Sequence, residues 1–176
     1  NPAELGRLRE IELCTLCHSS PGEPIQPSFT YTPGKPLSEY IRLDPLEEQN
    51  RIGVHSDNQY ARLSESSCFQ GSPEMTCTTC HDPHSLERGQ LALFSERCMQ
   101  CHQAEQCGMA DKVGASIRQN CIDCHLPKRR DMATPFETPE GTKYVELRDH
   151  FIGIYSDQTR EFMDDLRPEP QDSPAG

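Results

Sequence analysis

The chain has 176 residues, of which 34% are hydrophobic and 6% aromatic, and it contains no tryptophan. This composition excludes a large conventional core of apolar side chains, so either part of the chain is disordered or a group other than side chains fills its interior. The formal net charge of −11 argues against nucleic acid as a partner, because nucleic acid binds to basic surfaces.

Hydrophobic periodicity predicts short helices and gives no persuasive strand pattern. The proline-rich stretch 19–36 is predicted to be an extended loop. The tail 167–176 is predicted to be mobile or to dock onto a partner. The predicted fold class is therefore mostly irregular, with a few short α-helices and little or no β-sheet. In chain order, the predicted helices cover residues 4–13, 91–102, 109–120 and 156–166.

Eight of the ten cysteines lie in C-x-x-C pairs, and each pair is followed at once by a histidine. Two thiols at this spacing can add to the two vinyl groups of one haem, and the next imidazole is then placed to ligate the iron from one face. Zinc ribbons and thioredoxin-like sites also use C-x-x-C, but a zinc site does not need a histidine after every pair. The sequence therefore predicts four c-type haems, with zinc or disulfides as the alternative. The motifs are CTLCH (14–18), CTTCH (77–81), CMQCH (98–102) and CIDCH (121–125), with thioether cysteines Cys14, Cys17, Cys77, Cys80, Cys98, Cys101, Cys121 and Cys124 and axial histidines His18, His81, His102 and His125.

We number the predicted haems 1 to 4 in the order of their motifs. The first motif is far from the second in sequence, whereas the last three follow one another closely, so haems 2, 3 and 4 are expected to lie close together. Porphyrin faces would replace the missing apolar packing. The simplest architecture is one haem-cored domain over residues 1–166, whose apoprotein is largely unfolded.

The number of histidines limits the coordination of the irons. Four irons with two imidazoles each need eight histidines, and the chain has seven. A symmetric homo-oligomer does not remove this deficit, since each subunit that lends a histidine loses one. The remaining ligand is a methionine, another group, a histidine of a different partner, or nothing, and an open iron would be the place for enzymatic chemistry. The candidate methionines are Met75, Met99, Met109, Met132 and Met163.

Three histidines outside the motifs are candidates for the second axial position: His55, His84 and His150. His84 is too close to His81 along the backbone to reach the opposite face of the same porphyrin, so as a ligand it would serve a neighbouring haem. Its alternative role is that of a surface residue in an Asp-Pro turn or a hydrogen-bond donor to a propionate. His55 is either a ligand, which the scarcity of imidazoles favours, or an ordinary loop histidine.

Two cysteines, Cys68 and Cys107, lie outside the motifs. In an exported protein such a pair usually closes a disulfide, and we predict one here. A thiolate haem ligand is the alternative.

These motifs resemble those of the multihaem c-type cytochromes, and the chain is similar in outline to the tetrahaem electron carriers of ammonia oxidisers. The resemblance covers most of residues 11–155. It implies that His84 and His150 are distal haem ligands. The sequences on which it rests are FTYTPGKPLSEY (29–40), CTTCHDPH (77–84), CMQCH (98–102), CIDCHLPK (121–128) and RDHFIGIY (148–155).

The predicted function is electron transfer, because four haems in a chain this short allow electrons to hop between neighbours. Copies of the chain could extend this path as subunits of an extracellular filament. The alternative is an enzyme that reduces or oxidises a small nitrogen or sulfur species at a five-coordinate haem, and only the histidine deficit supports it. A third hypothesis is a redox-sensing or structural haem module in a larger complex.

The expected partners are other redox proteins or copies of the chain. The basic cluster Lys128, Arg129 and Arg130 is predicted either to neutralise propionates or to bind an acidic partner, against the alternative of a solvated loop. No apolar run approaches the roughly 20 residues of a membrane helix. Since c-type haem is attached outside the cytoplasm, we expect a periplasmic or extracellular protein whose signal peptide was removed before residue 1.

Overall fold

The computed structural model describes residues 1–19, 22–51, 53–55 and 58–166. The chain divides into two compact units: unit 1 comprises Asn1–Gly89 and Leu126–Gly153, and unit 2 comprises Gln90–His125 and Ile154–Gly176. The predicted tail 167–176 lies outside the described residues, and the single haem-cored domain over 1–166 stays a prediction. The α-helices are α1 (Arg7–His18), α2 (Leu46–Arg51), α3 (Gln59–Ser64), α4 (Ser67–Gly71), α5 (Leu91–Cys98), α6 (Ala110–Val113), α7 (Ile122–His125) and α8 (Ser156–Asp165).

The prediction of a mostly irregular chain with a few short α-helices is confirmed in its coarse form, but helices α2, α3, α4 and α7 were not predicted, and the predicted helices differ at their ends. Helix α1 begins after Gly6, whose backbone is extended, and it continues through the first motif to His18 instead of ending at residue 13. Helix α5 ends at Cys98. The helix predicted over 109–120 is divided, because Gly114 has a positive φ of 65° and stops α6 before a short 3-10 segment. Helix α8 agrees with its prediction within one residue.

Two small antiparallel pairs of strands are present. Strand β1 (Glu23–Pro24) pairs with β2 (Ile41–Arg42), and β3 (Lys128–Thr138) pairs with β4 (Gly141–Arg148) in a hairpin whose register is irregular between Arg130 and Pro135. The sequence predicted little or no β-sheet, and no pattern in it predicted the β3–β4 hairpin. Most residues on both of its faces are exposed, so its sequence lacks the alternation of apolar and polar residues that identifies a half-buried strand.

Residues 19 and 22–36 of the proline-rich stretch have no regular secondary structure apart from the short strand β1, and the extended loop over 19–36 stays a prediction. Gly22 lies directly against β2, where a Cβ atom would come within 2.3 Å of the Arg42 carbonyl oxygen. Phe29 has a positive φ of 66° and a fully exposed ring. Strand β1 of this loop pairs with β2 and thereby joins the loop to the fold.

Few hydrophobic side chains are buried among the described residues. In unit 1 they are Ile11, Leu37, Val54, Ala61 and Phe69, and in unit 2 they are Ala104 and Ile122. This agrees with the low hydrophobic content of the sequence. Side chains alone thus give each unit a small core.

A buried ion pair fixes the segment that follows β4 in unit 1. Arg62 of α3 donates from Nε to Asp149 Oδ1 (2.9 Å) and from Nη2 to Asp149 Oδ2 (2.8 Å), and Asp149 is 3% exposed. The Ser66 hydroxyl donates to the His150 carbonyl (3.0 Å) and accepts from the Ile152 N–H (2.8 Å). Backbone and side-chain bonds together therefore hold residues 149–152 against α3 and α4.

We predict that Asp149→Ala lowers the free energy of unfolding by about 3 kcal/mol, because it removes the bidentate acceptor of the half-buried Arg62 guanidinium and leaves the longer ion pair with Glu65 (3.5 Å). Chemical denaturation of the purified protein measures this loss. The matched control is Glu48→Ala, which breaks an exposed pair with Arg51 and should cost less than about 1 kcal/mol. Equal effects of the two substitutions would contradict the assignment.

Candidate functional site

Each C-x-x-C-H motif folds as a helical turn. CTLCH forms the end of α1, and in the other three motifs the histidine N–H donates to the carbonyl of the first cysteine: His81 to Cys77 (2.9 Å), His102 to Cys98 (3.0 Å) and His125 to Cys121 (3.1 Å). In a helical turn, residues at i, i+3 and i+4 lie on one side. Both thiols and the imidazole of a motif can therefore approach one planar group from the same side.

In unit 1 the first cysteines of two motifs are in contact. The Cys77 thiol hydrogen-bonds Cys14, which lowers the pKa of Cys14 to about 7, and the same bond, ahead of burial, raises the pKa of Cys77. Helix α1 is held beside CTTCH by two polar side chains. Arg7 donates to the Met75 carbonyl (2.9 Å), and Glu10 accepts a hydrogen bond from Thr78.

Unit 2 repeats this arrangement with the other two motifs. A hydrogen bond from Cys98, ahead of one from Ser95, lowers the pKa of Cys121 to about 6. The buried Ser95 hydroxyl of α5 also accepts the Cys121 N–H (2.9 Å). The four motifs are thus paired, the first with the second and the third with the fourth. Sequence spacing did not predict the first pair, because a long segment separates its two motifs.

His150 lies opposite His81 in unit 1. The two ring centroids are 6.0 Å apart and the ring planes are inclined by 29°. The Nδ1 atom of His150 is 3.2 Å from the Arg148 carbonyl oxygen, so a proton on Nδ1 is donated there and Nε2 keeps the lone pair that binds a metal. Burial, ahead of the neighbouring His81, lowers the pKa of His150, which keeps the ring neutral near pH 7.

This separation fits two imidazoles on opposite sides of one iron. A metal–imidazole bond is about 2 Å, so two in line put the ligating nitrogens about 4 Å and the ring centres roughly 6 Å apart. Together with the one-sided CTTCH turn, the donor set of Cys77, Cys80, His81 and His150 therefore suits one covalently attached haem. His150 is then the candidate second ligand of haem 2.

His55 lies beside a buried carboxylate. Its Nε2 atom is 3.8 Å from Asp131 Oδ2. Asp131 is 1% exposed and also accepts hydrogen bonds from the Ala133 N–H (3.0 Å) and the Thr134 hydroxyl (2.6 Å). A carboxylate commonly orients a ligating histidine through the nitrogen that does not bind the metal. Nδ1 would be the ligating atom of His55 in that case, and its role as a distal ligand stays a prediction.

His84 is exposed in a turn that Asp82 organises. Asp82 accepts the His84 N–H (2.9 Å) at Oδ1 and the Ser85 hydroxyl (2.7 Å) at Oδ2. A ligand for a neighbouring haem and a surface histidine both have this local geometry, so the predicted ligand role is retained as a prediction.

The two remaining cysteines belong to different units. Cys68 lies in α4 of unit 1, and Cys107 follows a 3-10 turn (Ala104–Gln106) of unit 2. Their disulfide stays a prediction. The charge of Cys107 also affects the fourth motif: it raises the pKa of Cys124, although burial is the larger cause of that rise.

Sequence reasoning missed the residues that position His150. Arg62 and Ser66 are far from it in the chain, and no motif identifies them. The Asp149–His150 dipeptide was noticed only through the family resemblance, whereas Asp149 proves to be a buried anchor.

Comparisons of the sequence and the fold matched no protein-family model, no curated protein and no solved structure. Within the described ranges, no helix is long and apolar enough to cross a bilayer. The same residues contain no group of three or more His, Cys, Asp or Glu side chains arranged around a single ion.

We predict that His150→Ala leaves the number of covalent haems unchanged and converts one low-spin haem to a high-spin haem that binds carbon monoxide, because one iron loses its second imidazole. Optical spectra of the reduced protein with and without carbon monoxide measure this change. Added free imidazole should restore the low-spin spectrum, which controls for general damage to the fold. A spectrum identical to that of the wild type would rule out His150 as a ligand.

Proposed function

We propose that the protein is an electron carrier that holds four covalently attached c-type haems. The observation that supports this most directly is the His81–His150 pair. Its 6.0 Å spacing suits one iron, and it stands beside a C-x-x-C-H turn with both thiols on one side. Each haem, when bound, supplies an iron that exchanges one electron between its ferrous and ferric forms.

The pairing of the motifs supports transfer between haems. The first cysteines of motifs 1 and 2 are in hydrogen-bond contact in unit 1, and so are those of motifs 3 and 4 in unit 2. Attachment points this close place two cofactors side by side. Electron exchange within each pair is then the fastest step of the proposed path.

The small side-chain cores support a cofactor-filled interior. Unit 2 buries only Ala104 and Ile122 among the hydrophobic residues described there. A folded unit of this size needs more buried apolar area than these provide. The porphyrins would supply it, and the apoprotein would then be largely unfolded.

The net charge of the chain suggests the kind of redox partner, and the chemistry of haem attachment suggests the compartment. The chain is strongly acidic, so a basic surface on a redox partner would dock with favourable electrostatics. Lys128, Arg129 and Arg130 begin β3 and are exposed, and Arg130 lies opposite Glu146 of β4. We place the protein in the periplasm or outside the cell, where c-type haem is attached. The extracellular filament stays a prediction.

Expression with a c-type haem maturation system, followed by intact-mass analysis and protein-film voltammetry, tests the proposal. We expect four haems per chain and reversible one-electron waves. A catalytic current on addition of nitrite or hydroxylamine would instead favour the oxidoreductase alternative. A mature chain without covalent haem would refute both functions.

We predict that replacing Cys98 and Cys101 by alanine lowers the haem content from four to three, because one attachment turn loses both thiols. The pyridine haemochrome assay with intact mass measures it. The matched control replaces Cys68 and Cys107, which lie outside the motifs. It should retain four haems, and loss of the predicted disulfide should cost about 2–5 kcal/mol of unfolding free energy. Haem loss in the control would contradict the assignment of the motifs.

A further inference from the structure

The seven histidines are divided unequally between the two units. Unit 1 contains His18, His55, His81, His84 and His150, whereas unit 2 contains only His102 and His125. Each unit has two C-x-x-C-H motifs. Unit 1 thus has five imidazoles for two irons, and unit 2 has two, both of which are the histidines of its own motifs.

The described contacts indicate that unit 1 uses its own histidines. His81 and His150 face each other at iron-bridging distance, and both belong to this unit. The pair is held by Arg62, Ser66 and Asp149, also of unit 1. In this arrangement His81 and His150 are the two ligands of haem 2. Haem 1 takes His18 and either His55 or His84, so unit 1 retains at most one spare histidine.

We propose that the iron without a second imidazole belongs to unit 2, at the CMQCH or the CIDCH motif. This inference rests on the proposed function. One spare histidine from unit 1 satisfies at most one of the two irons of unit 2, so the other is open or takes a different ligand. An iron of this kind binds small neutral molecules such as carbon monoxide when it is open.

The distribution of methionines is complementary. Three of the five, Met99, Met109 and Met163, lie in unit 2. In α8 the Thr159 hydroxyl hydrogen-bonds Cys124 of the CIDCH turn, and Met163 lies one helical turn further on the same side of α8. Unit 2, which has no histidine outside its motifs, therefore has a methionine close to the CIDCH motif.

The test is near-infrared magnetic circular dichroism of the oxidised holoprotein, which separates bis-imidazole haems from all other ligand pairs. The wild type is compared with variants that each lack one haem, obtained by replacing both cysteines and the histidine of a motif with alanine. All three histidines outside the motifs are kept in every variant, so that six imidazoles remain for three irons. Removal of one more histidine would leave an iron without a second imidazole wherever the original deficit lay.

We expect one haem in four of the wild type to lack the bis-imidazole signature. This signal should vanish in at least one of the two variants that lack haem 3 or haem 4, and it should be retained when haem 1 or haem 2 is removed. Loss of the signal on removal of haem 1 or haem 2 would overturn the inference, as would four bis-imidazole haems in the wild type. A chain without covalent haem would overturn the proposed function instead, and haem quantification distinguishes this result from the others.

Discussion

The ion pair between Arg62 and Asp149 determines where the candidate site can form. The pair is bidentate, its carboxylate is nearly inaccessible to solvent, and it fixes Asp149, the residue directly before His150. The Ser66 hydroxyl bonds on either side of the same segment. Because the guanidinium comes from α3 and the carboxylate from the segment after β4, a long-range electrostatic contact sets the position of the imidazole opposite His81. The proposed ligation of haem 2 depends on this contact.

In each unit, polar side chains join the C-x-x-C-H turns to neighbouring helices. Ser95, which is fully buried, joins α5 to the CIDCH turn, and Glu10 of α1 bonds Thr78 of the CTTCH turn. Buried polar groups are stabilising only while their partners remain in place. The motifs are thus held in pairs by directional bonds, and such bonds fix geometry more strictly than apolar contacts do.

The local features of the site were predictable from sequence, and the long-range ones were not. The C-x-x-C-H spacing identified the motifs from neighbouring residues alone, although the predicted helices 4–13 and 109–120 stopped before the helical turns of the first and fourth motifs. The partnership of His81 with His150, and that of Cys14 with Cys77, joins residues far apart in the chain, and no local pattern encodes it. The β3–β4 hairpin was missed for a different reason: Pro135 and the many exposed polar residues hide its strands from pattern analysis.

The division of the chain into units has a consequence for assembly. Residues 90–125 of unit 2 interrupt unit 1, which is completed only by residues 126–153. As the chain is synthesised from its N-terminus, the CTTCH turn is made well before His150, and the CMQCH and CIDCH turns lie between them. Under the proposed ligation, the distal side of haem 2 would stay open until His150, the last of the seven histidines, had been added to the chain.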